Sequence, residues 1–215
     1  MTSLQKLTLR NSTLHFHPNG LSACCALREF GCQHSSILAQ QEGLALRSVN
    51  KQVIQVPADV SALSCLTGLY LEPYAGEARS SFLDRYFCLT NLCSLYLVVY
   101  KDLEIPSGLT ALQQLSRLGL EAAVHLDYLH FCWQLDLDVP WSAMQNLQDV
   151  IIDCDCLSFS SGLLELAEAP NLKLAAFRGC RPAIGCCLAV LESLMYQLRQ
   201  RPEVSLTCVS LSDSM

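Results

Sequence analysis

Hydrophobic residues in this chain return at fixed intervals. Leu66, Leu69 and Leu71 are followed by Leu92, Leu95 and Leu97, and then by Leu115, Leu118 and Leu120, so one spacing of three then two residues is written three times. The starts are 26 (92−66) and 23 (115−92) residues apart. Within each copy the last two leucines share one face of a strand, while the residues between them face the other way. Self-similarity at a period of roughly 20–29 residues marks a solenoid. Each unit contacts only its neighbours, and stacking builds one continuous core.

Other segments fit the same spacing with declining quality. Leu4, Leu7 and Leu9 form a clear copy, completed by Leu14. Leu27, Phe30 and Cys32 follow, with Ile37 in the place of Leu14, and Leu44 and Leu46 keep only the last two positions. Leu147, Val150 and Ile152 make a good copy, Leu172, Ala175 and Phe177 a weak one, and Leu206, Val209 and Leu211 are expected to close the array. This gives about seven to nine units in one domain spanning residues 1–215. The interval from Leu115 to Leu147 is 32 residues, so residues 125–139 are expected to bulge or to hide a further unit.

The segments between strands have their own period. Val60, Leu63 and Leu66 are three apart, as are Leu109, Leu112 and Leu115, and Pro57 and Pro106 precede them. Three-residue spacing fits a short helix or 3₁₀ turn, and proline suits its first position. Ile184, Leu188, Leu191, Met195 and Leu198 recur every three or four residues. They predict a longer amphipathic helix over residues 183–201, ended by Pro202.

These motifs resemble the leucine-rich-repeat family, from Leu4 to about Phe177. The two proline-containing cycles look like its plant and typical intracellular subclasses. The resemblance implies an α/β fold: a right-handed solenoid, or horseshoe, with parallel strands on the concave face and short helices or turns on the convex face. It also implies a non-catalytic scaffold that binds a partner protein on the concave face. Two further roles are compatible with it: the substrate-recognition portion of a ubiquitin-ligase receptor, or a fragment of a larger immune or receptor-type protein. The chain departs from the family three residues after the last strand leucine, where Asn or Cys is usual. Ser12, Ser35, Val49, Tyr74, Tyr100, Ala123, Asp155 and Cys180 stand there instead. Buried backbone groups need partners, so the turns after the middle strands are expected to be irregular.

Composition narrows the setting. The chain is 51% hydrophobic and 16% charged, yet no run approaches the ~18 apolar residues of a spanning helix. Its net charge of −6 is the wrong sign for a nucleic-acid face. Thirteen cysteines are an odd number, and the first residues carry no basic segment followed by an apolar stretch. Together these favour reduced thiols and a cytoplasmic setting, with cytoskeletal or axonemal association as the alternative. A monomer, or part of a longer array, is expected.

Binding residues should lie between the buried leucines. The strands present Lys6, Thr8 and Arg10, then Glu29, Gly31 and Gln33, then Gly68, Tyr70 and Glu72. The next three present Ser94, Tyr96 and Val98, then Arg117, Gly119 and Glu121, then Asp149, Ile151 and Asp153. Tyr70 and Tyr96 should stand ~5 Å apart on neighbouring strands. Val98 is expected to extend their apolar surface, with Glu72, Glu121, Asp149 and Asp153 as an acidic rim. Aromatic centres with charged rims have the composition of an interface hot spot, although strands also use tyrosine simply to pack across to their neighbours. A partner's contact face should then be basic or mixed.

No chemistry rises to a catalytic, cofactor or metal assignment. The pairs His15/His17 and Cys154/Cys156 lack the further ligands of a closed zinc site. The phosphate-loop patterns GxxxxGK[ST] and GxGxxG are absent from the sequence, as is the GxSxG nucleophile elbow.

Overall fold

In a computed structural model, eight strands form one parallel sheet in which neighbours pair in chain order. The structure describes residues 3–10, 13–16, 24–33, 36–39, 63–72, 86–99, 103–105, 107–122, 133–137, 139–154, 156–159, 161–178, 181–182 and 187–209. The main strands are β1 (Lys6–Arg10), β3 (Glu29–Gln33), β5 (Gly68–Glu72), β6 (Ser94–Val99), β8 (Arg117–Ala122), β10 (Asp149–Cys154), β12 (Leu174–Arg178) and β14 (Ser205–Val209). Each contributes one unit, so the described residues hold eight.

Register follows the sequence repeat. Leu69, Leu95, Leu118 and Val150 stand side by side, as do Leu71, Leu97, Leu120 and Ile152 in the unit's last position. All are buried, and the first-position Leu66, Leu92, Leu115, Leu147 and Leu172 lie beneath them at 0–1% exposure. Translation by one strand thus sets like on like, and the core runs unbroken along the array.

Two small devices pin each unit to the one before. At the strand start one carbonyl accepts two backbone N–H groups of the next unit: Cys93 O from Ser116 and Arg117, and Ser116 O from Gln148 and Asp149. Beside it, Asn91, Asn146 and Asn171 donate their side-chain amides to the carbonyls of Ser64, Gln113 and Gln145, at 2.6–2.7 Å. Each asparagine directly precedes a first-position leucine.

The convex side is built as its spacing predicts. Leu66 N donates to Leu63 O and Leu115 N to Leu112 O, which are 3₁₀-type closures. 3₁₀ helices run over Ser107–Ala111, Trp141–Ala143 and Ser161–Glu168. Trp141 is fully buried, and its indole N–H reaches Gly162 O of the next unit at 3.0 Å. The helix α1 spans Cys187–Arg199, inside the expected 183–201, and precedes β14. After it, Arg201 donates to Ala167 O and Ala169 O at 2.8 and 2.7 Å and to Glu203 Oε1.

Four expectations are corrected or extended. Leu44 and Leu46 lie outside the described residues, and β3 pairs directly with β5 in the main sheet. No unit hides between Leu115 and Leu147, because β8 pairs directly with β10. The last unit is framed differently: Leu206 aligns with Ala175, and Val204, buried and donating to Arg201 O, takes the first position. Hydrogen bonding at the strand start decides that frame, not the leucine spacing.

The fourth concerns second strands on the far side of the turn. β2 (Thr13–Phe16) pairs with β4 (Ser36–Ala39). β7 (Leu103–Ile105), β9 (Trp133–Leu137), β11 (Cys156–Phe159) and β13 (Arg181–Pro182) form another parallel sheet. The turn positions Ser12, Ser35, Val49, Tyr74, Tyr100, Ala123, Asp155 and Cys180 lie outside the described residues.

Candidate protein-binding face

The face opposite the core is a grid of three rows, one residue per strand in each. The middle row reads Thr8, Gly31, Tyr70, Tyr96, Gly119, Ile151 across β1 to β10. Tyr70 and Tyr96 therefore stand in register with a glycine on either side. Their rings lie nearly parallel, 6° apart, with centroids at 5.1 Å. That separation is the strand spacing carried up into the side chains.

Gly119 explains why the rings lean. A Cβ there would collide with Cδ2 and Cε2 of Tyr96, so the ring occupies the space that a side chain would take. Lying toward β8, Tyr96 donates its hydroxyl to Glu121 Oε2 at 2.8 Å. Burial first, and then the Glu121 carboxylate with Tyr70 and Asp153 nearby, push the Tyr96 phenol well above its ordinary 10.0. Tyr96 stays a neutral donor throughout the physiological range, with its hydroxyl oriented by Glu121.

A groove of about 820 Å³ lies in front of the tyrosines. Gly31, Gly68, Tyr70 and Tyr96 line it, together with Thr67 and Ser116. The Thr67 and Ser116 hydroxyls are tied to the scaffold by bonds to Arg28 O and Cys93 O. Ion pairs flank it: Lys6 with Glu29 on one side, and Arg117 with Asp149 at 3.1 Å on the other. Cys93 also lines the groove, and its thiol faces Asn91 O.

Of the residues expected here, Tyr70, Tyr96, Glu121, Asp149 and Asp153 come together on this face. Val98 does not add exposed apolar surface: it is 2% exposed. It stands opposite Glu121 on the neighbouring strand and two residues along from Tyr96. Glu72 ends β5, but its side chain lies outside the described residues. Sequence reasoning placed Gly31, Gly68 and Gly119 on this face without giving them a role. The usable signal was a glycine in register with each tyrosine's outer side.

Other chemistry is sparse. Among the described residues no group of three or more His, Cys, Asp or Glu side chains is placed to hold a metal ion. Cys25, Cys65 and Cys93 are free thiols. No helix among the described residues is long and apolar enough to cross a membrane.

One parallel sheet of repeated units, each returning through a 3₁₀ turn or helix over a leucine core, defines the leucine-rich-repeat fold. Comparison of structures agrees. Internalin C2 of Listeria monocytogenes superposes with a TM-score of 0.50 at 16% identity, over 95% of this chain and 80% of that one. A leucine-rich-repeat protein of Leptospira interrogans gives 0.45 at 14% identity, over 94% of this chain and 54% of that one. Neither a protein-family model nor a curated protein sequence matches the chain.

Proposed function

We propose that this protein is a non-catalytic interaction scaffold that holds a partner protein on its concave sheet, working in the cytoplasm. The observation that carries the reading is the Tyr70–Tyr96 stack, held by Glu121 and lining a groove. Interfaces concentrate their energy in a few aromatic anchors in preformed pockets, and rigid anchors lose little freedom on binding. A flat pair of rings seated on glycine has that character. It goes beyond what strand stability requires, since cross-strand packing alone would not need an oriented hydroxyl or an adjoining groove. The other face of the sheet is committed to the core, which leaves this one for contact.

Affinity capture from a cell extract tests the reading, with wild type beside the Tyr70→Ala/Tyr96→Ala variant and mass spectrometry as the readout. A partner held by wild type and lost by the folded variant is the expected result. Equal capture by both proteins would sink it.

A further inference from the structure

The asparagine ladder lapses between the second and third units, and two cysteines stand in the gap. Asn91, Asn146 and Asn171 each reach a carbonyl two residues before the first-position leucine of the preceding unit: Ser64 O, Gln113 O and Gln145 O. In the third unit the residue directly before Leu66 is Cys65, and two residues before Leu27 in the second unit stands Cys25. The turns match across these units: Leu27 N donates to Cys24 O, Leu66 N to Leu63 O and Leu92 N to Leu89 O, each at 2.9 Å. The units are also stacked alike. Arg28 O accepts from Thr67 and Gly68, as Thr67 O accepts from Cys93 and Ser94. Cys65 is therefore set against Cys25 as Asn91 is set against Ser64. One strand spacing across and one residue along places their Cα atoms about 6 Å apart, inside the roughly 4.4–6.8 Å that a disulfide spans. Both thiols are free and exposed.

We propose that Cys25 and Cys65 form an oxidation site, a thiol pair that a small disulfide such as oxidised glutathione converts into a bridge between the second and third units. One cysteine thiolate attacks the glutathione disulfide, forming a mixed disulfide and releasing one glutathione thiolate. The other cysteine thiolate attacks the protein sulfur of that mixed disulfide, closing the Cys25–Cys65 bond and releasing the second glutathione. The two cysteines together give up two electrons and two protons, and the glutathione disulfide takes up both. Reduced glutathione in excess runs the same exchange backwards. The bridge joins positions 40 residues apart (65−25), and the constraint it puts on the unfolded chain grows with that separation. It also clamps the turns that lead into β3 and β5, whose Gly31 and Gly68 line the groove. Oxidation thus stiffens one side of the open face.

The test uses the full chain, reduced and then incubated with oxidised glutathione, beside Cys25→Ser and Cys65→Ser. Remaining thiols are alkylated, and unreduced digests are read by mass spectrometry. In wild type a linked Cys25–Cys65 peptide is expected, with a urea midpoint raised by about 1 M and restored by dithiothreitol. In each serine variant the remaining cysteine should keep its glutathione, and the midpoint should not rise. The wild-type peptide map stands on its own should a serine variant fail to fold. Glutathione retained on both Cys25 and Cys65 in wild type, a disulfide from either to another cysteine, or both thiols left unreacted would overturn the proposal.

Discussion

Tyr96 concentrates the chemistry of this molecule in one side chain. Its hydroxyl has a single described acceptor, Glu121, so Tyr96→Phe removes one charge-assisted bond. A loss of about 1–2 kcal/mol in urea unfolding is expected, since bonds to charged groups exceed neutral ones. The pH dependence follows from the raised phenol. Below pH 10.0 both the folded and the unfolded phenol are protonated, and Tyr96 adds no pH dependence. Above it the unfolded chain gives up that proton while the folded chain keeps it, so stability falls as pH rises. Urea midpoints should therefore decline above pH 10.0 in wild type and decline less steeply in Tyr96→Phe. Gly119→Ala tests the seat of the ring. The added methyl meets Tyr96, and a cost of about 1–3 kcal/mol is expected, with altered near-ultraviolet circular dichroism from the displaced stack.

Between neighbouring elements, hydrogen bonds to carbonyls do the fastening. Arg201 ties the end of α1 to the last turn of the 3₁₀ helix Ser161–Glu168 by bonding Ala167 O and Ala169 O. Arg201→Met keeps an apolar stem but removes both bonds. It should cost about 2–3 kcal/mol and raise hydrogen exchange first in α1 and β14. Much of this level was legible beforehand. The three-then-two leucine spacing marked β1, β3, β5, β6, β8, β10 and β12, and the three-residue spacing marked the turns at Leu63 and Leu109. The asparagines before Leu92, Leu147 and Leu172 went unread, because their role lies in carbonyls more than 20 residues away. The second strands, β2, β4, β7, β9, β11 and β13, were equally hidden. They are short, and pairing with a neighbour creates them more than any pattern of their own.

Across the whole molecule, stability is a chain of nearest-neighbour interfaces. Leu118 sits in the middle of the buried ladder at 1% exposure, between Leu95 and Val150. Leu118→Ala should cost about 2–5 kcal/mol, and hydrogen exchange should rise most in β6, β8 and β10 and least in β1. Uniform loss of protection along the array would contradict nearest-neighbour coupling. The repeat period, the core ladder and the three rows of the open face were all determined by the sequence, because strand alternation and one-unit translation turn spacing directly into position. Tertiary structure alone decided how those rows behave. Whether a tyrosine stands upright or lies over Gly119, and whether Val98 is open or shielded, depend on side chains from different units meeting across strands. No single repeat contains both partners of those contacts.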